Sequence, residues 1–182
     1  MGIPTLISTS TASNASAVTI SSGIDSTYDE YMFVLTDIGP ATSQAHFSFQ
    51  CNNTNNDGLG ITMTTTYFQA YHTESDEGTP NVAYQTARDQ SQAGGYQQLA
   101  NNLGNGSDES SAGILHLFTP ASTTYVHHFY SRFSSYYNDT SDSYSLDTYV
   151  AGYFNNLYAI DEISFKMDSG NFDGVIQMYG IA

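Results

Sequence analysis

The chain has 182 residues, 40% of them hydrophobic and 14% aromatic, and its 18 acidic against three basic residues give a net charge of −15. The basic residues Arg88, Arg132 and Lys166 are too few to neutralise a run of phosphates, so we expect neither a nucleic-acid partner nor docking to an anionic membrane. Cys51 is the one cysteine, which excludes an internal disulfide and a multi-cysteine metal site. No run of about 18 apolar residues is present, so no membrane-spanning helix is expected.

The length fits one domain with an arm in front of it. Residues 5–22 are nearly all Ser, Thr, Ala, Asn and small aliphatic residues. We therefore predict that residues 1–22 form an extended N-terminal arm or an edge strand, and that residues 23–182 form a single β-sandwich domain.

Short segments of β-branched and aromatic residues alternate with turn residues along the rest of the chain. Nine of them are predicted strands: residues 18–20, 31–38, 46–51, 61–72, 113–118, 125–133, 146–154, 160–167 and 174–181. Tyr96, Leu99, Ala100 and Leu103 fall at helical spacing before Gly104, which predicts one short helix there. Because strands do not alternate with helices, the sequence predicts an all-β fold: an antiparallel, jelly-roll-like β-sandwich with at most one short helix.

Two acidic or amide-rich segments match part of the pattern of a metal-binding loop. Asn53–Gly58 resembles the opening of a calcium loop, but its first position is Asn and its twelfth would be Thr64, not a bidentate Glu. A solvated turn is the alternative, since Asn and Gly favour turn conformations. Asp139, Asp142 and Asp147 form a second cluster. Neither pattern is sufficient, and we predict no metal and no cofactor.

The hairpin around residues 119–124 could bring two histidines opposite each other. If its turn centres between Ala121 and Ser122, His116 faces His127 across the two strands. Two facing imidazoles could hold a metal or share a proton. No third ligand is evident, however, and ordinary hydrogen bonds to neighbouring groups are the alternative interpretation.

Motifs for catalysis are missing from the sequence. It contains no nucleophile elbow, no His-Glu-x-x-His, no phosphate-binding glycine loop and no dinucleotide fingerprint. Four carboxylate pairs are adjacent in sequence: Asp29–Glu30, Asp76–Glu77, Asp108–Glu109 and Asp161–Glu162. Neighbouring residues on a strand point to opposite faces, so such a pair does not share one site. We therefore predict no catalytic residue and no enzyme.

Aromatic residues are the more informative feature, with 15 tyrosines and 10 phenylalanines. The middle and C-terminal half contains Tyr67, Phe68, Tyr71, Tyr125, Phe129, Tyr130, Phe133, Tyr136, Tyr137, Tyr144, Tyr149, Tyr153, Phe154 and Tyr158. Many of these side chains would form the core. Tyrosine combines apolar area with a polar tip, so an excess of it also suits subunit interfaces, which we favour here, and sugar binding.

Four segments, taken in their order, are similar to known proteins. They are residues 28–42 with 47–49, residues 64–72, residues 115–129, and residues 163–167 with 174–181. Together they resemble a group of virion structural proteins of tailed bacteriophages, especially marine ones. The resemblance covers somewhat over a third of the chain. It implies a small, β-rich structural protein, and it carries over no catalytic or ligand-binding residue.

The resemblance and the acidity together favour a place on the exterior surface of a virion, because packaged DNA repels a strongly negative chain. The leading hypothesis is a capsid decoration (cement) protein that acts by protein–protein binding. We expect it to be a homotrimer, matching a capsid three-fold position, and to bind the major capsid protein or other virion proteins. The alternatives are a tail or fibre component that binds a host-surface glycan, and an enzyme acting on surface polysaccharide.

Overall fold

The computed structural model describes residues 2–55, 58–75, 79–138 and 142–182. Twelve strands, and no helix, make up the regular structure of these residues. They are β1 (Thr5–Ala15), β2 (Val18–Ile20), β3 (Glu30–Pro40), β4 (Ala45–Asn53), β5 (Met63–Thr73), β6 (Asn81–Tyr84), β7 (Gln97–Leu103), β8 (Ser111–Phe118), β9 (His127–Asn138), β10 (Ser143–Phe154), β11 (Ile160–Met167) and β12 (Phe172–Ile181). Accordingly, no helix long and apolar enough to cross a bilayer is found in these ranges.

All strands belong to one antiparallel sheet that branches at β9. The main path runs β1-β12-β3-β8-β9-β7-β4-β11-β2, and β9 also pairs with β10, which continues to β5 and β6. Residues 16–17 alone separate β1 from β2, so the two ends of the path meet and the sheet is nearly closed. The fold is therefore all-β, antiparallel and sandwich-like, as predicted.

The sheet folds into two layers around an aromatic core. The front layer consists of β1, β12, β3, β8, β9, β10, β5 and β6, and the back layer consists of β7, β4, β11 and β2. Phe47 of the back layer lies 6.1 Å from Phe133 of the front layer, between ring centroids, and Phe33 lies 5.8 Å from Phe165. All four side chains are fully buried. Such ring pairs contribute about 0.5–1.5 kcal/mol each beyond the burial of apolar area.

The predicted helix between Gly95 and Gly104 is wrong, because this segment is strand β7. Its inward positions follow a two-residue period, but two of them are the polar residues Gln97 and Asn101, both buried. Thr65 Oγ1 donates a hydrogen bond to Gln97 Oε1 (2.6 Å), and the Tyr67 hydroxyl donates one to Asn101 Oδ1 (2.7 Å). Because two inward-facing side chains are polar, the apolar residues that remain in this segment fall at helical spacing.

The N-terminal segment is paired within the sheet. β1 runs antiparallel to β12, from Thr5 opposite Gly180 to Ala15 opposite Phe172. β2 pairs with β11 on the other layer. β1 and β2 thus lie at the two ends of the main path of the sheet. The division of the chain at residue 22 stays a prediction. Each of the nine predicted strands corresponds to an observed strand, whereas β6 and β7 were not predicted.

Candidate binding surface

The outward-facing side chains of the front layer line up in rows across neighbouring strands. We call the surface made by two adjacent rows and their immediate neighbours the outer face. One row consists of Thr9, Gln177, Val34, Ile114, Arg132, Tyr149, Phe68 and Tyr84. The other consists of Leu6, Tyr179, Met32, His116, Tyr130, Ala151 and Thr66. The register of the strands therefore collects aromatic and aliphatic side chains on one surface.

These side chains remain accessible to solvent in the isolated chain. Ile114 is 38% exposed, Phe68 40% and Tyr130 46%. Leu6, Tyr84 and Val82, which lies beside the first row, are exposed as well. Large contiguous apolar patches are rare on proteins that work alone, and they mark sites of interaction.

Ring contacts hold the aromatic groups of the outer face in place. Phe68 and Tyr149 stack with their centroids 4.8 Å apart, and the Arg132 guanidinium lies 5.0 Å from the Tyr149 ring centroid. In the second row, His116 stacks on Tyr130 at 4.6 Å. Side chains that are fixed before binding lose less conformational entropy when a partner covers them.

The outer face carries few charged groups, and each carboxylate on it has a partner. Its carboxylates are Glu30 and Asp147, and at its edge Asp89 accepts a hydrogen bond from the Tyr84 hydroxyl. Glu30 Oε1 contacts His116 Nδ1, and Asp147 Oδ2 accepts a hydrogen bond from Arg132 Nη2 at 2.7 Å. Among the described residues, the other acidic groups lie in loops, near strand ends or in the back layer.

The surroundings of Asp147 shift the pKa values of Arg132 and Tyr149. The hydrogen bond from Arg132 to Asp147 raises the pKa of the guanidinium. Partial burial raises the pKa of the Tyr149 hydroxyl, and its hydrogen bond to Asp147 adds to this effect. Arg132 is largely exposed, so the pair contributes little to stability and mainly fixes the positions of the charges.

A groove of about 510 Å³ borders the first row of the outer face, on the side away from the second row. Val34, Ala112 and Ile114 form apolar parts of its lining, and Arg132 and Asp147 add polar groups. A groove of this composition can receive a projecting apolar side chain while the ion pair meets a hydrogen-bonding group beside it.

A second concave site, which we call the tyrosine pocket, lies on the inner side of β5, β9 and β10. Its volume is about 210 Å³, and it is lined by Gln69, Tyr71, Tyr137, Tyr144 and Leu146. The Tyr144 ring meets those of Tyr71 and Tyr137 edge-on, with centroids 5.7 and 5.2 Å apart. The Gln69 Oε1 atom is buried and has no hydrogen-bond partner. The three tyrosines stood out in the sequence, whereas nothing singled out Gln69.

A facing pair of histidines would need a turn centred between Ala121 and Ser122, and the structure does not have one. His116 lies opposite Tyr130, and not opposite His127, because the turn between β8 and β9 centres on residue 123. The loop contains a tight turn in which the Ser122 N–H donates a hydrogen bond to the Thr119 carbonyl. His127 is buried, with its Nε2 2.9 Å from the carbonyl oxygen of Tyr158. The alternative interpretation, ordinary hydrogen bonding, therefore describes His127.

In the structure, the described residues of the two metal-loop patterns each make their own contacts with other parts of the chain. The Asn55 N–H donates to Asn53 Oδ1 at 2.9 Å, which closes a small turn, while residues 56–57 lie outside the described residues. Asp142 accepts a hydrogen bond from Ser75, Asp147 pairs with Arg132, and Asp139 is not described. Within the described ranges, no group of three or more His, Cys, Asp and Glu side chains could hold a metal ion.

Cys51, the one thiol, is fully buried on β4. Burial raises its pKa well above the ordinary value. A protonated thiol without access to solvent does not act as a nucleophile.

Comparisons of the chain with protein-family models, with curated proteins and with solved structures find no match.

Proposed function

We propose that the protein is a non-catalytic binding protein of a tailed-phage virion, a capsid decoration protein that docks to the shell through its outer face. The observation that carries the proposal is an aromatic surface with few charged groups, its rings held by stacking contacts, on a chain with a net charge of −15. The resemblance of four sequence segments to phage virion proteins supports the choice of partner.

The composition of the outer face suits contact with a protein. The centres of protein interfaces are poor in charged residues and rich in Tyr, Phe and Arg. Truncation of Tyr and Arg at such centres is frequently the most damaging change to binding. Tyr130, Tyr149 and Arg132 provide these residue types on the outer face, and Arg132 also lines the groove.

The remaining surface has a different role in this proposal. Its acidic groups repel packaged DNA and other particles, so the outer face is the part of the molecule that can approach a capsid closely. Three copies arranged around a capsid three-fold axis would place identical outer faces on identical shell surfaces.

Co-sedimentation with capsid shells of the phage that encodes the chain tests this proposal. Ile114→Asp places a carboxylate in the middle of the outer face. A buried, unpaired charge costs several kcal/mol, so we expect shell binding to weaken by about 100-fold or more. Leu157→Asp is the matched control, since Leu157 is 49% exposed in the loop between β10 and β11.

The control variant should bind shells like the unmodified chain, and its free energy of unfolding in urea should stay within about 0.5 kcal/mol of the unmodified value. Ile114→Asp should lose about 1 kcal/mol from its lower strand propensity and remain folded under the binding conditions. Shell binding by Ile114→Asp equal to that of the unmodified chain would overturn the proposal. So would equal loss of binding in both variants, or no shell binding by the unmodified chain.

A further inference from the structure

We infer that the tyrosine pocket is a binding site for one ring of a neutral saccharide. The inference does not depend on the capsid proposal, because the pocket opens on the inner side of β5, β9 and β10 and shares no lining residue with the outer face.

The size of the pocket sets the size of the ligand. At about 210 Å³ it is smaller than the roughly 300–1,000 Å³ sites that hold drug-sized molecules. One sugar ring, either free or as a residue of a longer glycan, matches this volume.

The walls supply the two contacts that a sugar ring requires. The carbon-bound hydrogens of a pyranose carry slight positive charge and pack on the negative face of an aromatic ring. Tyr71 and Tyr137 both lie edge-on to Tyr144, so their rings stand at steep angles around the cavity. Asn102 Nδ2 donates a hydrogen bond to the Tyr137 hydroxyl at 2.7 Å, which fixes that ring in place.

Gln69 provides a specific polar contact. Its Oε1 atom is buried without a partner, a costly arrangement in a protein that works without a ligand. The terminal torsion of a glutamine side chain is soft, so the amide can turn toward the cavity without any movement of β5. A sugar hydroxyl in the pocket would then donate the missing hydrogen bond.

Charge excludes acidic sugars and other anions. None of the three basic residues lines the pocket. Arg88 donates to Gln98, Arg132 pairs with Asp147, and Lys166 lies over the ring of Tyr96. A carboxylate, sulfate or phosphate group would meet no cation here and would be repelled by the acidic chain.

Saturation-transfer NMR with methyl glycosides of glucose, galactose, mannose and N-acetylglucosamine, and with methyl glucuronide as the anionic probe, tests the inference. We expect a signal from at least one neutral glycoside and none from the glucuronide. Gln69→Leu should weaken binding about tenfold, which corresponds to the loss of one hydrogen bond. Because the same substitution removes an unpaired buried oxygen, it should not lower the urea unfolding midpoint, so loss of binding cannot be attributed to unfolding.

Tyr130→Ala, on the outer face, is the control and should bind glycosides like the unmodified chain. The inference is overturned if no neutral glycoside binds, if binding survives Gln69→Leu, if only the glucuronide binds, or if Tyr130→Ala removes binding equally. Gln69→Leu should leave capsid co-sedimentation unchanged, so this result and that of the capsid proposal can be separated.

Discussion

Tyr67→Phe tests whether a buried hydrogen bond between layers holds β7 as a strand. The Tyr67 hydroxyl donates to Asn101 Oδ1 at 2.7 Å, and Asn101 is 1% exposed. The substitution leaves that oxygen buried without its donor, which costs about 1–3 kcal/mol. With a urea dependence of about 2 kcal/mol per molar, a loss of about 2 kcal/mol lowers the unfolding midpoint by about 1 M.

A double-mutant cycle separates the hydrogen bond from other effects. Asn101→Leu alone leaves the Tyr67 hydroxyl unpaired, whereas Tyr67→Phe with Asn101→Leu removes both polar groups. We expect the double variant to be more stable than the sum of the single effects predicts, by about 0.5–3 kcal/mol. Urea unfolding followed by tyrosine fluorescence measures all four proteins, since the chain has no tryptophan.

Tyr125→Phe is the matched control, because Tyr125 is 72% exposed and its hydroxyl is not needed to satisfy a buried group. Its free energy of unfolding should lie within about 0.5 kcal/mol of that of the unmodified chain. The reasoning would be refuted if Tyr67→Phe were equally harmless, or if the two single effects added up in the double variant.

Three other predictions concern pH, packing and assembly. Burial lowers the pKa of His46 below its ordinary 6.5, although Asp168 opposes this, and the Asn102 N–H donates to its Nδ1. The unfolded chain therefore takes up the proton first, so the contribution of His46 to stability is present above about pH 6.5 and is lost as the pH falls below it. Urea midpoints should fall less steeply with acidification in His46→Gln than in the unmodified chain or the control His128→Gln, and identical slopes would contradict this assignment. Gly113→Ala should lower the free energy of unfolding in urea by about 1–3 kcal/mol, because the added Cβ would lie 2.4 Å from the Phe133 ring. An unchanged midpoint would show that the ring moves aside without cost. Light scattering in high salt should show a trimer that EDTA does not dissociate, and a monomer, or dissociation by EDTA, would contradict the expected assembly.

Strands with apolar inward positions could be predicted from the sequence. In β3, Tyr31, Phe33 and Leu35 are all fully buried and alternate with partly exposed residues. The two-residue period is therefore visible without knowledge of the rest of the fold. β7 could not be predicted in this way, because the buried positions of Gln97 and Asn101 depend on donors from β5, a strand distant in sequence.

The candidate binding surface was only partly visible in the sequence. Neighbouring strand residues point to opposite faces, so Phe129 and Tyr130 had to separate into core and surface, as they do. The sequence could not show that Tyr149 lies beside Phe68, since their pairing depends on the register between β10 and β5. The groove and the tyrosine pocket depend on such long-range pairings as well.

The central claim is the proposal that the chain belongs to a tailed-phage virion, and cryo-electron microscopy of virions that contain it would test this most directly. We predict that the chain lies on the exterior of the capsid, in three copies around a three-fold axis. Ile114, Tyr130 and Tyr149 of each copy should be covered by shell protein, with the acidic loops facing solvent. A chain located in the tail, inside the shell, or on the capsid with its outer face exposed to solvent would contradict the proposal.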